Sequence, residues 1–302
     1  LRRISPLRTG KQMRVDPIFP WHVLKRLGIL LLVALALTGC SQFKVLYAFG
    51  GEAIRGEAEF FLDLTEAEEA ALAENVDVLV RWHRMEMLPK YAAFLSMTAD
   101  RVENGSLHTP DVKETIIRMR SLLKETVEGA SPIVASVLAD HTTPQKVAHL
   151  SERMRERLAE RRAEMEGDWE EWTVERTERA VDRFERFMGH VTPAQEKIIQ
   201  RYFEGISDMS ARWQQMREIR HQAFVDFLVE RPDRESIARF LPGILLRSGE
   251  VVGPVYTQLA DSWWRGFTGW MVEMAGSMTP EQRMHLARTL RGYAEDMVDL
   301  ST

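Results

Sequence analysis

The stretches Val191–Thr192–Pro193–Ala194–Gln195 and Met278–Thr279–Pro280–Glu281–Gln282 follow one grammar, and each reads as the start of a helix. The threonine oxygen accepts from backbone N–H groups that lack a partner in the first turn. Proline at the first helical position gives up a donor that would have been unpaired anyway. Gln three residues after the threonine closes a capping box, and the apolar residue before it (Val191, Met278) suits a hydrophobic staple. Leu64–Thr65–Glu66–Ala67–Glu68 repeats the pattern with glutamate, while Thr109–Pro110 and Thr143–Pro144 lack the box in register. Arg231–Pro232–Asp233 starts a further helix, and Asn104–Gly105 and Glu128–Gly129 read as stops or turns. Successive threonine starts lie 44, 34, 49 and 87 residues apart, which excludes a regular solenoid array.

Between these starts the apolar residues recur at helical spacing. From Leu64 to Phe94 the positions Leu72, Val76, Leu79, Val80, His83 and Met87 fall three or four apart. From Ser151 to Met188 a thin stripe of Met154, Leu158, Met165, Trp169, Trp172, Val181, Phe184 and Phe187 runs through 9 Arg and 12 acidic residues. Pairs such as Glu175–Arg179 and Asp182–Arg186 contribute only about 0.2–0.5 kcal/mol each, so they keep a long helix soluble and the stripe must pack elsewhere. No clean apolar–polar alternation marks a strand. The expected fold is all-α: an elongated helical bundle of about eight helices over residues 64–302, including one long charged helix, as one domain or two fused bundles. With 302 residues the chain buries a sizeable core, and 18 Gly and 12 Pro disfavour many-turned β classes. One Cys excludes a disulfide framework, and a net charge of −5 argues against nucleic acid as a partner.

The first forty residues carry an address. Lys25–Arg26 precede the apolar run Leu27–Leu37, whose eleven residues at about 1.5 Å each cannot cross a bilayer core of roughly 30 Å. The length fits a secretory signal peptide over residues 1–39, with Met13 available as a start that would make residues 1–12 an over-extended reading. Leu37–Thr38–Gly39–Cys40 follows and resembles the lipobox of bacterial lipoproteins, in which the cysteine is lipidated and the peptide is cut just before it. By that resemblance residues 40–63 are a lipid-anchored N-terminal segment. Ser41, where an aspartate would signal inner-membrane retention, implies the periplasmic face of the outer membrane. Removing seven basic residues and one acidic one with the signal leaves 33 basic and 44 acidic residues, a net charge of −11. No second thiol is left to mispair in an oxidising compartment.

Cys40, Lys44, Leu46–Tyr47 and Asp63–Leu64–Thr65 are followed by Trp82–His83–Arg84 with Leu88–Pro89 and Tyr91. Arg183–Phe184–Glu185–Arg186–Phe187, Thr192–Pro193 with Gln195, and Thr279 to Arg283 with His285–Leu286 complete the order. This order of segments resembles a family of uncharacterised proteobacterial lipoproteins, a domain of unknown function. Ala48–Phe49–Gly50–Gly51 stands where the resemblance implies an asparagine-rich stretch. More locally, the Thr-Pro-x-Gln starts are similar to those of small all-helical periplasmic stress chaperones that cradle unfolded clients.

No phosphate loop, dinucleotide fingerprint, zinc-protease motif or serine-hydrolase elbow occurs, and no cofactor is implied. His83 and Glu86 share a helix face as a weak metal pair, and His141 and His149 lie two turns apart. The densest constellation is Trp82, His83, Arg84, Pro89 and Tyr91. Pro89 is expected to kink or break the helix and free a carbonyl near Arg84–Met85. The block reads either as a recognition notch, with Arg84 for an anion between flat aromatic walls, or as a helix corner. In Trp263–Trp264–Arg265–Gly266–Phe267–Thr268–Gly269–Trp270, residues Trp263, Phe267 and Trp270 share a face, and the two glycines would admit a close helix. The functional expectation is a non-enzymatic binding, scaffold or chaperone-like envelope protein, holding a protein or polymer client and touching the membrane through Cys40. The 14 Met residues after the signal suit adaptable surfaces. The alternative is an enzyme acting on cell-wall or lipid substrates through unassigned carboxylates, which a deep pocket with two close carboxylates or a His–Glu pair of shifted pKa would favour. For the anchor, Cys40→Ala is expected to leave an unprocessed precursor that takes up no labelled palmitate; normal labelling of that variant would refute the lipobox reading.

Overall fold

Thr65, Thr192 and Thr279 each begin a helix with its capping box formed. A computed structural model describes residues 42–163 and 169–302; the signal segment, Cys40 and Met165 lie outside the described residues. Every regular element among them is helical. In chain order these are α1 (Gln42–Ala48), α2 (Gly50–Phe61), α3 (Glu66–Trp82), a π-helical turn (His83–Met87), α4 (Leu88–Glu103), α5 (Thr109–Ala139) and α6 (Pro144–Ala163). Then follow α7 (Trp169–Met188), α8 (Pro193–Gly205), α9 (Ser207–Val229), α10 (Arg234–Leu246), α11 (Ser248–Val252), α12 (Pro254–Gly276) and α13 (Pro280–Ser301). The expected count of about eight was too low. α11 has five residues and α1 seven, too short for an apolar period to show in the sequence. Gly253, at φ +108°, separates α11 from α12. The charged stretch Ser151–Met188 is described as α6, which starts earlier at Pro144, and α7.

Two start and stop signals are also corrected. α5 is capped by His108, whose N–H donates to Asp111 at 3.1 Å, so the box sits one residue before Thr109. Gly129 stops nothing: it lies inside α5, where it admits the side chain of Trp82. Asp233 caps α10 by accepting from Ser236 N–H at 2.8 Å, and Gly105, at φ +73°, ends α4 as expected.

Residues Gln42–Thr302 cluster as one compact unit. One buried group joins α7, α8 and α12 through Met188, Ile199, Met274 and Met278. Another joins α5, α6, α9 and α10 through Ala135, Leu150, Leu228, Ile237 and Leu241. A third sets α13 along α4 through Ala99, Val102, Ala287 and Leu290, and Leu107 and Leu286 touch both the first and the third. Glu68 closes the box of α3 and also pairs with Lys146 of α6. That ammonium, followed by the Thr65 N–H, holds the Glu68 carboxyl down at about 2, so the tie stays charged through the mildly acidic range.

The boxes of α8 and α13 meet. Gln195 is fully buried and Gln282 nearly so. Each carboxamide donates to the oxygen of the other at 2.8 Å. Each oxygen also accepts the N–H of its own cap, Thr192 or Thr279, at 2.9 Å. The second proton of Gln282 goes to His190 O at 2.6 Å, and that of Gln195 to Ser277 O at 3.2 Å. All four hydrogen-bonding positions of both amides are therefore used. Gln195→Met is expected to destabilise by about 1–3 kcal/mol, because it strands the Gln282 amide in an apolar site. The Gln195→Met/Gln282→Met double variant should lose clearly less than the sum of the singles in denaturant titrations. Additive losses would show that the two amides do not act as a pair.

Candidate functional site

Pro89 cannot donate, and its ring crowds the carbonyl four residues back. The helix does not break as expected. Leu88 N–H instead bonds to His83 O, five residues back, and His83–Met87 widen into a π turn that carries α3 directly into α4. The turn points Met87 and Leu88 inward, each 1% exposed, and leaves Arg84, Pro89 and Lys90 outside.

The five candidate residues divide accordingly. The Trp82 indole lies over Gly129 of α5, where any Cβ would collide with the ring. Tyr91 Oη pairs with Thr126 on the same helix, and Lys90 with Glu125 at 3.1 Å. His83, half-buried, bonds through Nδ1 to Tyr47 Oη at 3.0 Å. Burial lowers the His83 pKa, so the ring is neutral at neutral pH, and burial raises that of Tyr47 against the opposing Arg84 charge. Arg84 lies 5.8 Å from the Tyr47 ring centre. The turn is thus the seat of α1. Phe43 meets Tyr293 edge-on at 6.1 Å, and Lys44 bonds Asp299 at 2.6 Å and approaches Asp296 at 3.4 Å. On the other side Val45, Leu46 and Phe49 are 55%, 73% and 66% exposed. Trp263, Phe267 and Trp270 do form one face: Trp263 stacks on Phe267 at 5.3 Å, and Trp270 stacks on Tyr202 at 4.2 Å in the core. Trp264 carries Arg120 over its ring at 4.3 Å. Gly266 and Gly269 have open space beside them, so they admit no neighbouring helix.

The feature with the form of a ligand site lies elsewhere. Six helices line a cavity of about 510 Å³ that opens to solvent, with Phe61 of α2, Val76 of α3, Val134 of α5, Met154 of α6, Phe224 of α9 and Leu241 of α10 in its walls. That volume is in the range of small-molecule pockets. Its polar lining is Asn75, which bonds Ser136 at 2.7 Å, together with Arg157, Arg161, Arg217, Arg220 and His221. No Asp or Glu is among the described lining residues. His221 is 8% exposed, and its Nε2 has no partner among the described residues. Burial, followed by the charges of Arg161, Arg220 and Arg176, lowers the Arg217 pKa. Among the described residues no group of three or more His, Cys, Asp or Glu is placed to hold a metal ion.

A family model described as "Family of unknown function (DUF6279)" matches residues 60–249. The chain belongs to this family. No curated protein and no solved structure matches it. The DUF6279 region contains the π turn and, apart from Ile54 and Ala58, every residue that lines the cavity. The motifs at Cys40 and Thr279–Arg283 fall outside the matched residues.

Sequence reasoning missed the cavity because it read the arginines of α6 as a solvated face. Met154, Arg157, Leu158 and Arg161 share one face of α6, and Arg217, Arg220, His221 and Phe224 share one face of α9. Arginines inside an apolar stripe, rather than opposite it, were the available signal. At the π turn, Gly129→Ala is expected to destabilise by about 1–3 kcal/mol through its clash with Trp82. In a Trp82→Ala background the same change should become neutral or stabilising, since alanine is the better helix former. An equal loss in both backgrounds, measured by unfolding, would place the strain elsewhere.

Proposed function

We propose that this is a lipid-anchored envelope protein, held through Cys40 at the periplasmic face of the outer membrane, which binds an apolar ligand without transforming it. The observation that carries the reading is the cavity of about 510 Å³ with apolar walls from six helices. A hydrolase working through paired carboxylates would need acidic residues in such a site, and none is among the described lining residues. The anchor fits the rest of the chain. Cys40 lies two residues before α1, which the Tyr47–His83 and Lys44–Asp299 bonds pin to the body. Val45, Leu46 and Phe49 on the free side of this segment suit a membrane surface. No described helix is long and apolar enough to cross a membrane.

The binding reading is tested with N-phenyl-1-naphthylamine, a neutral dye that brightens in apolar surroundings, added to the purified unit Gln42–Thr302. Saturable binding is expected, and Val76→Trp or Leu241→Trp should weaken it by filling the cavity while the helical spectrum is retained. Dye binding unaffected by both substitutions would overturn the assignment to this cavity.

A further inference from the structure

The apolar walls suit an apolar guest, and the basic lining asks for something more. Arg157 is already engaged by Glu57 at 3.1 Å and by Glu160 at 3.2 Å. Glu218, next to Arg217 in the chain, pairs with Arg162 on α6. Arg161, Arg217 and Arg220 make no ion pair among the described residues, although all three line one cavity with the unpartnered, buried His221 Nε2. Like charges gathered against an apolar surface repel one another, and partial burial denies Arg217 full hydration. An isolated apolar guest would leave that repulsion in place. An anionic head would relieve it, and guanidinium forks match carboxylate and phosphate oxygens in pairs.

Resting on the binding reading above, we propose that the ligand is an anionic amphiphile. Its acyl chain lies among the walls formed by Phe61, Val76 and Leu241, and its carboxylate or phosphate-monoester head sits at Arg161, Arg217 and Arg220. His221 Nε2 supplies one further hydrogen-bonding position in the same lining. Both head chemistries satisfy the guanidinium forks, so the two sources are separated by measurement.

The experiment displaces the bound naphthylamine dye with four twelve-carbon competitors below their micelle-forming concentrations: laurate, dodecyl phosphate, dodecanol and dodecyltrimethylammonium. One or both anions should displace the dye at concentrations at least about tenfold lower than dodecanol, with the cation weakest. The stronger of the two identifies the head as carboxylate or phosphate. Arg217→Gln/Arg220→Gln should remove most of the advantage of the anions, with a melting temperature at or above that of the parent as the control for folding. Arg161→Gln, at an exposed residue, serves the same purpose should the double variant fail to fold. Dye binding with equal displacement by all four heads would overturn the anionic head and leave the apolar cavity standing. Absence of dye binding to the parent would overturn the cavity reading and this inference with it.

Discussion

Two primary amides, Gln195 and Gln282, hold the register on which the other contacts depend. An apolar interface can repack after a change, because its contacts require no pairing of donor with acceptor. A buried amide does not, because each donor or acceptor left unpaired incurs its own desolvation penalty. Here each carboxamide closes the cap of its own helix, meets its twin, and reaches the backbone that leads into the other helix. A displacement of α8 against α13 would strand several groups at once, so the pair acts as a peg with one seating. With α13 set in this way, its small residue Ala287 and neighbouring Leu290 lie along Ala99 and Val102 of α4.

From α4 the constraint passes into α3 without a joint. The π turn inserts one residue into the rod, and one residue of helix corresponds to about 100° of rotation. Residues on the two sides of the insertion consequently address the same neighbour: Trp82 on Gly129 and Tyr91 on Thr126, both of α5. The rod is clamped before and after the proline that would otherwise weaken it. The turn also gives His83 its position against Tyr47, which fixes α1. The candidate block of sequence is therefore the hub that joins α1, the α3–α4 rod and α5, and its exposed part is confined to Arg84, Pro89 and their neighbours.

Capping chemistry is local, so it was legible. The three strong Thr boxes lie where their residues implied, and the absence of alternation gave the all-α class. What the chain order conceals is which caps meet. Nothing in Thr-Pro-x-Gln says that Gln195 will find Gln282 across 87 residues. Gly129 was misread because glycine has two uses, ending a helix or admitting a bulky neighbour, and only the position of Trp82 separates them. Short helices such as α11 fall below one apolar period. In sequence the Trp82–Tyr91 block reads as a recognition notch or a helix corner, and the structure places its residues around the π turn that joins α3 to α4. The cavity arginines of α6, Arg157 and Arg161, were passed over because alternating Arg and Glu along that helix look the same whether a given arginine points to water or inward.

Arginine in an apolar lining conflicts with the consistency seen elsewhere in the fold, where caps, amides and core residues agree. Such conflicts are tolerated where the surrounding structure supplies the stability to offset them. In this chain the conflict is local. The apolar void forfeits dispersion contacts, the guanidinium groups Arg161, Arg217 and Arg220 repel one another, and His221 Nε2 lacks a partner, all within one cavity. A purely apolar guest would correct the first defect, and a simple anion would correct the second. Only a molecule with both a chain and a charged head corrects them together. The more sharply the remainder of the structure is satisfied, with the glutamine pair as its clearest case, the more informative these three coincident defects become about what the cavity accepts.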